Sequence, residues 1–230
     1  LTLDIMELTF YGHACFSVKT QDKTILFDPF ISPNPKAAHI DVTTLAANYI
    51  LLSHGHEDHV ADAENIAKRT GAKLVSNFEI VSWYEKKGIE NVHPMNHGGK
   101  WKFDFGTVKY TNAVHSSMLP DGSYGGNPGG FIVNASKSFY FAGDTALTMD
   151  MKLIGNSEKL DFAVLPIGDN FTMGIEDAIT AAEFINCNKI IGVHYDTFGY
   201  IEINKNEAID KFKSRGKELI LPEIGETIKL

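Results

Sequence analysis

The sequence predicts an α/β fold, and three observations carry that prediction. The chain opens on three short strand-like runs joined by tight turns. From Tyr49 onward, strand-like and helix-like stretches alternate. This progression of strands and then interleaved helices occurs twice along the chain. Such alternation signals βα layering with parallel strands.

Glu7–Phe10, His13–Thr20 and Lys23–Phe27 read as a β-meander turned at Gly12 and at Gln21-Asp22. Cys15, Phe16 and Val18 put apolar side chains on both faces of the second strand, as expected inside a sandwich. Asp28-Pro29 ends the third strand, because proline cannot donate to the ladder. Phe30 to Ala47 reads as a loop, with Asp41 placed to cap a short helix through Ala47. Tyr49–Leu52 is a short apolar run of the buried-strand type. A helix over Ala61–Thr70 follows, with Gly71 as its C-cap. Lys73–Ser76 is the next strand, and Asn77 caps a helix over Phe78–Lys87. Ile80, Val81, Trp83 and Tyr84 give that helix a core face.

Lys100–Phe105 and Thr107–Val114 read as strands. Ser116–Gly130 holds five glycines and two prolines, and a loop this long commonly serves a site. It is expected to lie over the site as a lid or a source of substrate contacts. Phe131–Ala135 and Ser138–Ala142 form a hairpin-like pair, and Asp150–Ile154 a short helix. Strands at Asp161–Leu165 and Lys189–Val193 flank a helix over Ile175–Cys187, whose Glu176 and Asp177 suit the positive end of its dipole. A helix over Asn206–Arg215 and strands at Glu218–Leu221 and Thr227–Lys229 close the chain. There is no internal linker, so residues 1–230 are expected to form one domain, with residues 1–5 an N-terminal extension.

Composition narrows the function classes. Apolar residues make up 43% and charged residues 22%, an ordinary globular balance that can build a core without disulfides. Cys15 and Cys187 do not form a disulfide framework, so a cytoplasmic location is expected. No apolar run approaches the roughly 20 residues that span a bilayer, and no signal peptide is apparent. The net charge of −8, with no basic run, argues against a nucleic-acid surface. A small-molecule substrate is expected, with no nucleic-acid and no membrane partner. Self-association is left open.

The chemistry concentrates in Ser53-His54-Gly55-His56-Glu57-Asp58-His59. Four potential metal ligands, His54, His56, Asp58 and His59, fall within six residues on a strand-to-helix loop. Imidazole and carboxylate are ordinary ligands of divalent ions. Residues i and i+2 of an extended backbone project to one side, so His54 and His56 can grip one ion while Asp58 and His59 face a second. His93 and His97 lie beside the Gly98-Gly99 turn and read as structural or solvent-facing. His13, in an otherwise apolar strand, reads either as a hydrogen-bonded structural residue or as one serving the site or its substrate.

This His-x-His-x-Asp-His stretch resembles the signature of the metallo-β-lactamase superfamily. Tyr11-Gly12-His13-Ala14-Cys15-Phe16, the Asp28-Pro29-Phe30 turn and Pro166–Gly174 are similar to the small metal-dependent hydrolases related to ascorbate-6-phosphate lactonase (UlaG-like). In the last stretch Asp169 stands where glycine is more usual. The resemblance implies a four-layer αβ/βα sandwich of two mixed β-sheets flanked by helices. It implies that His54, His56 and His115 hold one metal, that Asp58, His59 and His194 hold another, and that Asp144 bridges both. Asp58, Asp144 and His194 would then be central to catalysis. His13, Asp169, Asn170 and Met173 become candidates for substrate or supporting contacts. The backbone amides of residues 168–173 and 122–130 are candidate anion contacts.

The implied activity is a dinuclear metal-dependent hydrolase using a metal-bridging hydroxide. The implied substrate is small and anionic: a phosphodiester, a phosphorylated metabolite or a lactone. Two divalent ions per chain are expected, zinc first, with manganese, iron or nickel compatible with the same ligands. Two other readings stand beside it. One is an iron-dependent oxygen or sulfur redox enzyme of the same fold. The other is a non-catalytic, metal-stabilised binding protein.

Overall fold

The computed structural model describes residues 5–230, so the expected N-terminal extension lies outside them apart from the exposed Ile5. The meander forms as expected. β1 (Glu7–Gly12) pairs antiparallel with β2 (Cys15–Thr20), and β2 with β3 (Lys23–Phe27). β1 alternates buried and half-buried positions, whereas β2 is buried at every position but Lys19. The loop beyond β3 makes two short 3-10 turns, whose first amides are capped by Asn34 and Asp41, each at 3.0 Å.

From β4 (Tyr49–Leu51) the pairing becomes parallel. β3, β4, β5 (Lys73–Asn77) and β6 (Val92–Met95) run side by side, with α1 (Glu57–Val60), α2 (Ala63–Thr70) and α3 (Phe78–Lys86) as crossovers. Two features depart from the sequence reading. Helix starts at Glu57 rather than near Ala61, so Asp58 and His59 sit on a helical turn. The turn is separated from α2 because the Asp62 side chain instead accepts from the Ile31 and Ser32 amides, at 2.6 and 2.9 Å. The second departure is β6, which contains His93 and Pro94. Proline is tolerated there because β6 is an edge strand.

The second half repeats the plan. β7 (Lys100–Phe103), β8 (Gly106–Asn112), β9 (Gly129–Asn134) and β10 (Ser138–Phe141) are antiparallel, and β11 (Phe162–Pro166), β12 (Lys189–Val193) and β13 (Glu218–Ile220) continue parallel. α4 (Asp150–Ser157), α5 (Ile175–Phe184) and α6 (Lys205–Ser214) join and cover them. α5 stops short of Cys187, and Asn186 adopts a left-handed φ of 52° just beyond it. β14 (Thr227–Lys229) then crosses back and pairs antiparallel with β1. Among the described residues this makes two seven-stranded mixed sheets.

The layers follow from three apolar clusters. Between the sheets lie Phe16, Phe27, Phe131, Phe139, Phe141 and Phe162, all fully buried. Outside the first sheet, Ile66, Ile80 and Val81 pack on Leu52 and Leu74. Outside the second, Met151, Ile179 and Phe212 pack on Tyr140, Leu165 and Ile190. The protein is therefore a four-layer αβ/βα sandwich.

Candidate metal centre

The site is assembled from the ends of strands. His13 lies in the β1–β2 turn, and Asp28 directly follows β3. The loop from β4 into α1 carries His54, His56, Asp58 and His59. His115 follows β8, Asp144 follows β10 and His194 follows β12. His13, Asp28 and His194 all hold left-handed φ values, of 54°, 41° and 58°. Such backbone is uncommon for side-chain-bearing residues and concentrates at functional sites.

Asp144 stands at the centre. Its Oδ2 lies 2.9 Å from His194 Nε2, 3.2 Å from His59 Nε2, 3.6 Å from His115 Nε2 and 3.9 Å from His54 Nε2. Around it the ligand-type atoms fall into two main groups, each with its members within 4.8 Å of one another, and a third set, Asp28, His54 and His59, links them. One is His54, His56 and His115. The other is Asp58, His59 and His194, joined by His13. All seven residues that the sequence singles out as ligands are thus brought into one cluster.

Supporting contacts set the imidazole tautomers. His59 Nδ1 donates to Asp28 Oδ2 at 2.8 Å, which turns Nε2 toward Asp144. His54 Nδ1 pairs with Ser53 Oγ at 2.9 Å, and Ser53 Oγ donates to Asp28 Oδ2 at 2.5 Å. Asp28 also accepts from the Ser53 amide at 2.8 Å. One buried carboxylate therefore orients ligand-type histidines on both sides of the cluster. His13 plays a similar part for Asp58, with Nε2 at 3.0 Å from Asp58 Oδ2 and Nδ1 at 2.9 Å from Thr197 Oγ1. The sequence marks Asp28 as a strand terminator within a family-like turn, not as a partner of the histidines. Its buried place beside a ligand loop is a long-range feature.

The electrostatics call for positive charge. Burial alone would raise the Asp144 pKa, but His194 and His59 beside it hold the carboxyl well below its ordinary value. Asp58 is likewise lowered, with His59 and the His13 hydrogen bond overcoming its burial. His59 is pushed the opposite way: burial disfavours its charge, yet Asp144 and Asp58 raise its pKa well above the imidazole range. Burial, aided by His59, keeps His54 neutral and able to ligate. Burial and the neighbouring His194 lower His13 to about 4. His59 Nε2 and Asp144 Oδ1 are buried and have no hydrogen-bond partner among the described residues. Buried polar atoms normally have one. The closest approach of His59 Nε2 to a carboxylate is 3.2 Å, to Asp144 Oδ2. An unsatisfied carboxylate oxygen and converging imidazole nitrogens beside a second carboxylate fit a bound divalent cation.

A cavity of about 630 Å³ opens onto this cluster. His56, Asp58, His115, Asp144 and His194 line it on the cluster side, with Ser116, Phe171, Phe198, Gly199 and Tyr200 elsewhere. Of the residues proposed from sequence to touch substrate, Asp169 and Asn170 are exposed and do not line this cavity. Met173 is buried against the helical layer of the second sheet. Asp169 has a φ of 63°, which explains why glycine suits that position. From that loop it is Phe171 that reaches the cavity. Within the Gly-rich stretch expected to cover the site, only Ser116 lines the cavity. Residues 121–127 are tied instead to the first sheet's helical side, and Gly129 and Gly130 begin β9. Asn77 Nδ2 donates to the Gly125 and Asn127 carbonyls, and Trp83 Nε1 to Asp121. His93 packs on Trp101, and His97 Nε2 pairs with the Pro128 carbonyl, so neither joins the cluster.

Comparison with known proteins agrees with this architecture. Residues 7–194 match the family model of the beta-lactamase superfamily domain. A UPF0173 metal-dependent hydrolase of Flavobacterium johnsoniae is 62% identical over 226 residues, covering 98% of this chain and 100% of the relative. The structure of Igni18, a metallo hydrolase from the hyperthermophilic archaeon Ignicoccus hospitalis, superposes with a TM-score of 0.89 at 33% identity, covering 98% of each chain. An isothiocyanate hydrolase from Delia radicum gut bacteria shares the fold with a TM-score of 0.78 at 21% identity, covering 97% of this chain and 98% of its own. The chain belongs to the beta-lactamase superfamily and, within it, to the UPF0173 metal-dependent hydrolases.

Proposed function

We propose that this protein is a dinuclear metal-dependent hydrolase of small molecules. The observation that carries the reading is the Asp144 carboxylate, which approaches four imidazoles through one oxygen. In this reading His54, His56 and His115 hold one cation, and Asp58, His59 and His194 hold the other. Asp144, whose Oδ2 lies near imidazoles of both sets, would be shared between them. Divalent ions held there supply Lewis acidity and bring the pKa of a water toward neutrality. Zinc is the first expectation, with manganese, iron or nickel suited to the same donors.

The chain's own residues do the positioning. Asp28 and Ser53 hold the Nδ1 sides of His59 and His54, which turns Nε2 of each toward the cluster. His13 holds Asp58 in place and stays neutral near pH 7, so it adds no charge to the cluster. The substrate class we propose is a small ester-like molecule whose reacting group is anionic or becomes so: a phosphodiester, a phosphorylated metabolite or a lactone. No nucleic-acid partner is proposed, in keeping with the acidic net charge. Among the described residues no helix is long and apolar enough to cross a membrane. Both cysteines are free and buried, which accords with the reducing cytoplasm as the proposed compartment. The whole chain is proposed to act as one domain, since β14 returns to pair with β1.

The test is turnover of a panel of phosphodiesters, phosphomonoesters and sugar lactones by metal-reconstituted protein, run against Asp144→Ala. Turnover that disappears in the variant supports the hydrolase. No turnover, with bound metal verified and oxygen uptake observed instead, would sink it in favour of the iron redox reading. No turnover and no oxygen uptake would leave a binding role.

A further inference from the structure

We infer that the substrate carries an aromatic or similarly flat apolar group, held by Phe171, Phe198 and Tyr200 while its reacting group faces the histidine cluster. The inference rests on the hydrolase reading for the identity of the reacting end. It rests on the cavity wall for the other end.

The cavity has two chemically distinct sides. The cluster side is wholly imidazole and carboxylate. Away from it, the lining is three aromatic rings, a glycine and Ser116. No lysine or arginine is among these lining residues. A doubly charged tail would find no cationic side chain there, whereas an apolar ring would meet apolar faces.

What sets the three aromatics apart is their place rather than their exposure: Phe171 is 50% exposed, Phe198 37% and Tyr200 78%, and all three line the cavity that opens onto the cluster. The Phe171 and Tyr200 rings stand edge to face, with centroids 6.3 Å apart and planes at 77°. That is the usual spacing of an edge-to-face aromatic pair. Phe198 packs edge-on against His13 at 5.3 Å, so its ring is positioned beside the cluster.

The wall is preformed. Phe171 follows two left-handed residues, Asp169 and Asn170, and the Asp169 amide donates to the Met173 carbonyl at 3.1 Å. Phe198 and Tyr200 belong to a turn closed by Asp196, whose amide donates to the Ile201 carbonyl at 2.8 Å. The Asp196 carboxylate accepts from the Ile203 amide at 3.0 Å. Ile201 anchors the turn in the interior with no exposed surface. These contacts hold exposed rings at a cavity mouth, where burial by a ligand would be favourable.

The test is direct binding of phenylphosphonate and methylphosphonate to the metal-loaded protein by calorimetry. It is run on the native sequence and on Phe171→Ala, Phe198→Ala, Tyr200→Ala and the triple variant. Thermal melts verify folding, and the exposure of the three side chains favours it. The expected result is that phenylphosphonate binds about tenfold more tightly than methylphosphonate. The advantage shrinks in each single variant and disappears in the triple variant. Equal affinities in the native protein, an advantage that survives the triple variant, or no binding of either compound would overturn the inference. Turnover of methyl and phenyl p-nitrophenyl phosphate is measured in parallel. A phenyl preference in binding with no turnover of either diester, nor of the phosphomonoesters and lactones of the panel above, removes the hydrolase reading but leaves the aromatic wall. Turnover without a phenyl preference in phosphonate binding does the reverse.

Discussion

Asp28 and His59 are 31 positions apart, yet His59 Nδ1 donates to Asp28 Oδ2 at 2.8 Å with both side chains fully buried. The same carboxylate takes the Ser53 hydroxyl, and through it sets His54. Burial raises the Asp28 pKa, while His59 and Ser53 pull it down. Asp28→Asn keeps the shape but removes the negative charge and one acceptor. The expected outcome is a folded protein with metal affinity weaker by about 10–100-fold, the usual effect of losing a carboxylate behind a ligating histidine. Competition with a chelator of known affinity measures it. Unchanged affinity would show that Asp28 serves only the strand end.

Metal removal should register in stability as well as activity. A cation that binds only the folded chain adds about 2.7 kcal/mol when present at 100 times its Kd. For a protein of this size, chelation should then lower Tm by roughly 5–10 °C. Asp144→Ala should melt at nearly the same temperature with or without chelator, because its cluster no longer has the carboxylate shared by both halves. Differential scanning calorimetry with metal analysis checks both. A chelator shift of equal size in the variant would remove Asp144 from the metal site.

How much of this was legible in the sequence depends on distance along the chain. Four ligand-type residues within six positions announce themselves, and the strand before them and Gly71 after α2 place them correctly. His115, Asp144 and His194 are single residues. Only their positions after strands, matched to the family pattern, select them. The bond from His13 to Asp58 spans 45 positions and involves a left-handed turn residue, for which no local pattern exists. β14 is readable as a strand, but its partner β1 lies at the other end of the chain. Phe171, Phe198 and Tyr200 escaped because apolar residues in a loop carry no sign of whether they face the core or a cavity. The Phe198-Gly199-Tyr200 run just after His194 was the available clue.

His93 and His97 supply a negative control. Each is adjacent to an aromatic ring, Trp101 for His93 and Tyr110 for His97, and neither belongs to a ligand group. Replacing both with alanine should leave metal stoichiometry unchanged. The cost in stability should be about 1 kcal/mol from the lost His97 hydrogen bond and ring contacts. Elemental analysis and urea denaturation check this. A lost equivalent of metal would mean that a ligand has been misassigned.

Gly143 separates backbone strain from pressure on the site. It precedes Asp144 at a φ of 62°, and a Cβ there would lie 2.5 Å from the Gly129 carbonyl oxygen and 2.8 Å from Ser53 Cβ. Ser53 is the residue that links Asp28 to His54, so the clash is transmitted to both halves of the cluster. Gly71, the C-cap of α2, has a similar φ of 70° but open space around its Cβ position. Gly71→Ala should therefore cost only the left-handed strain, about 1–2 kcal/mol, with metal affinity unchanged. Gly143→Ala should add overpacking to the same strain, for about 2–5 kcal/mol in total, and weaken metal binding as Ser53 shifts. Urea denaturation of the chelated proteins gives the stability difference, and chelator competition gives the affinity. If the two variants lose equal stability and bind metal equally well, the contact between Gly143 and Ser53 has no bearing on the site.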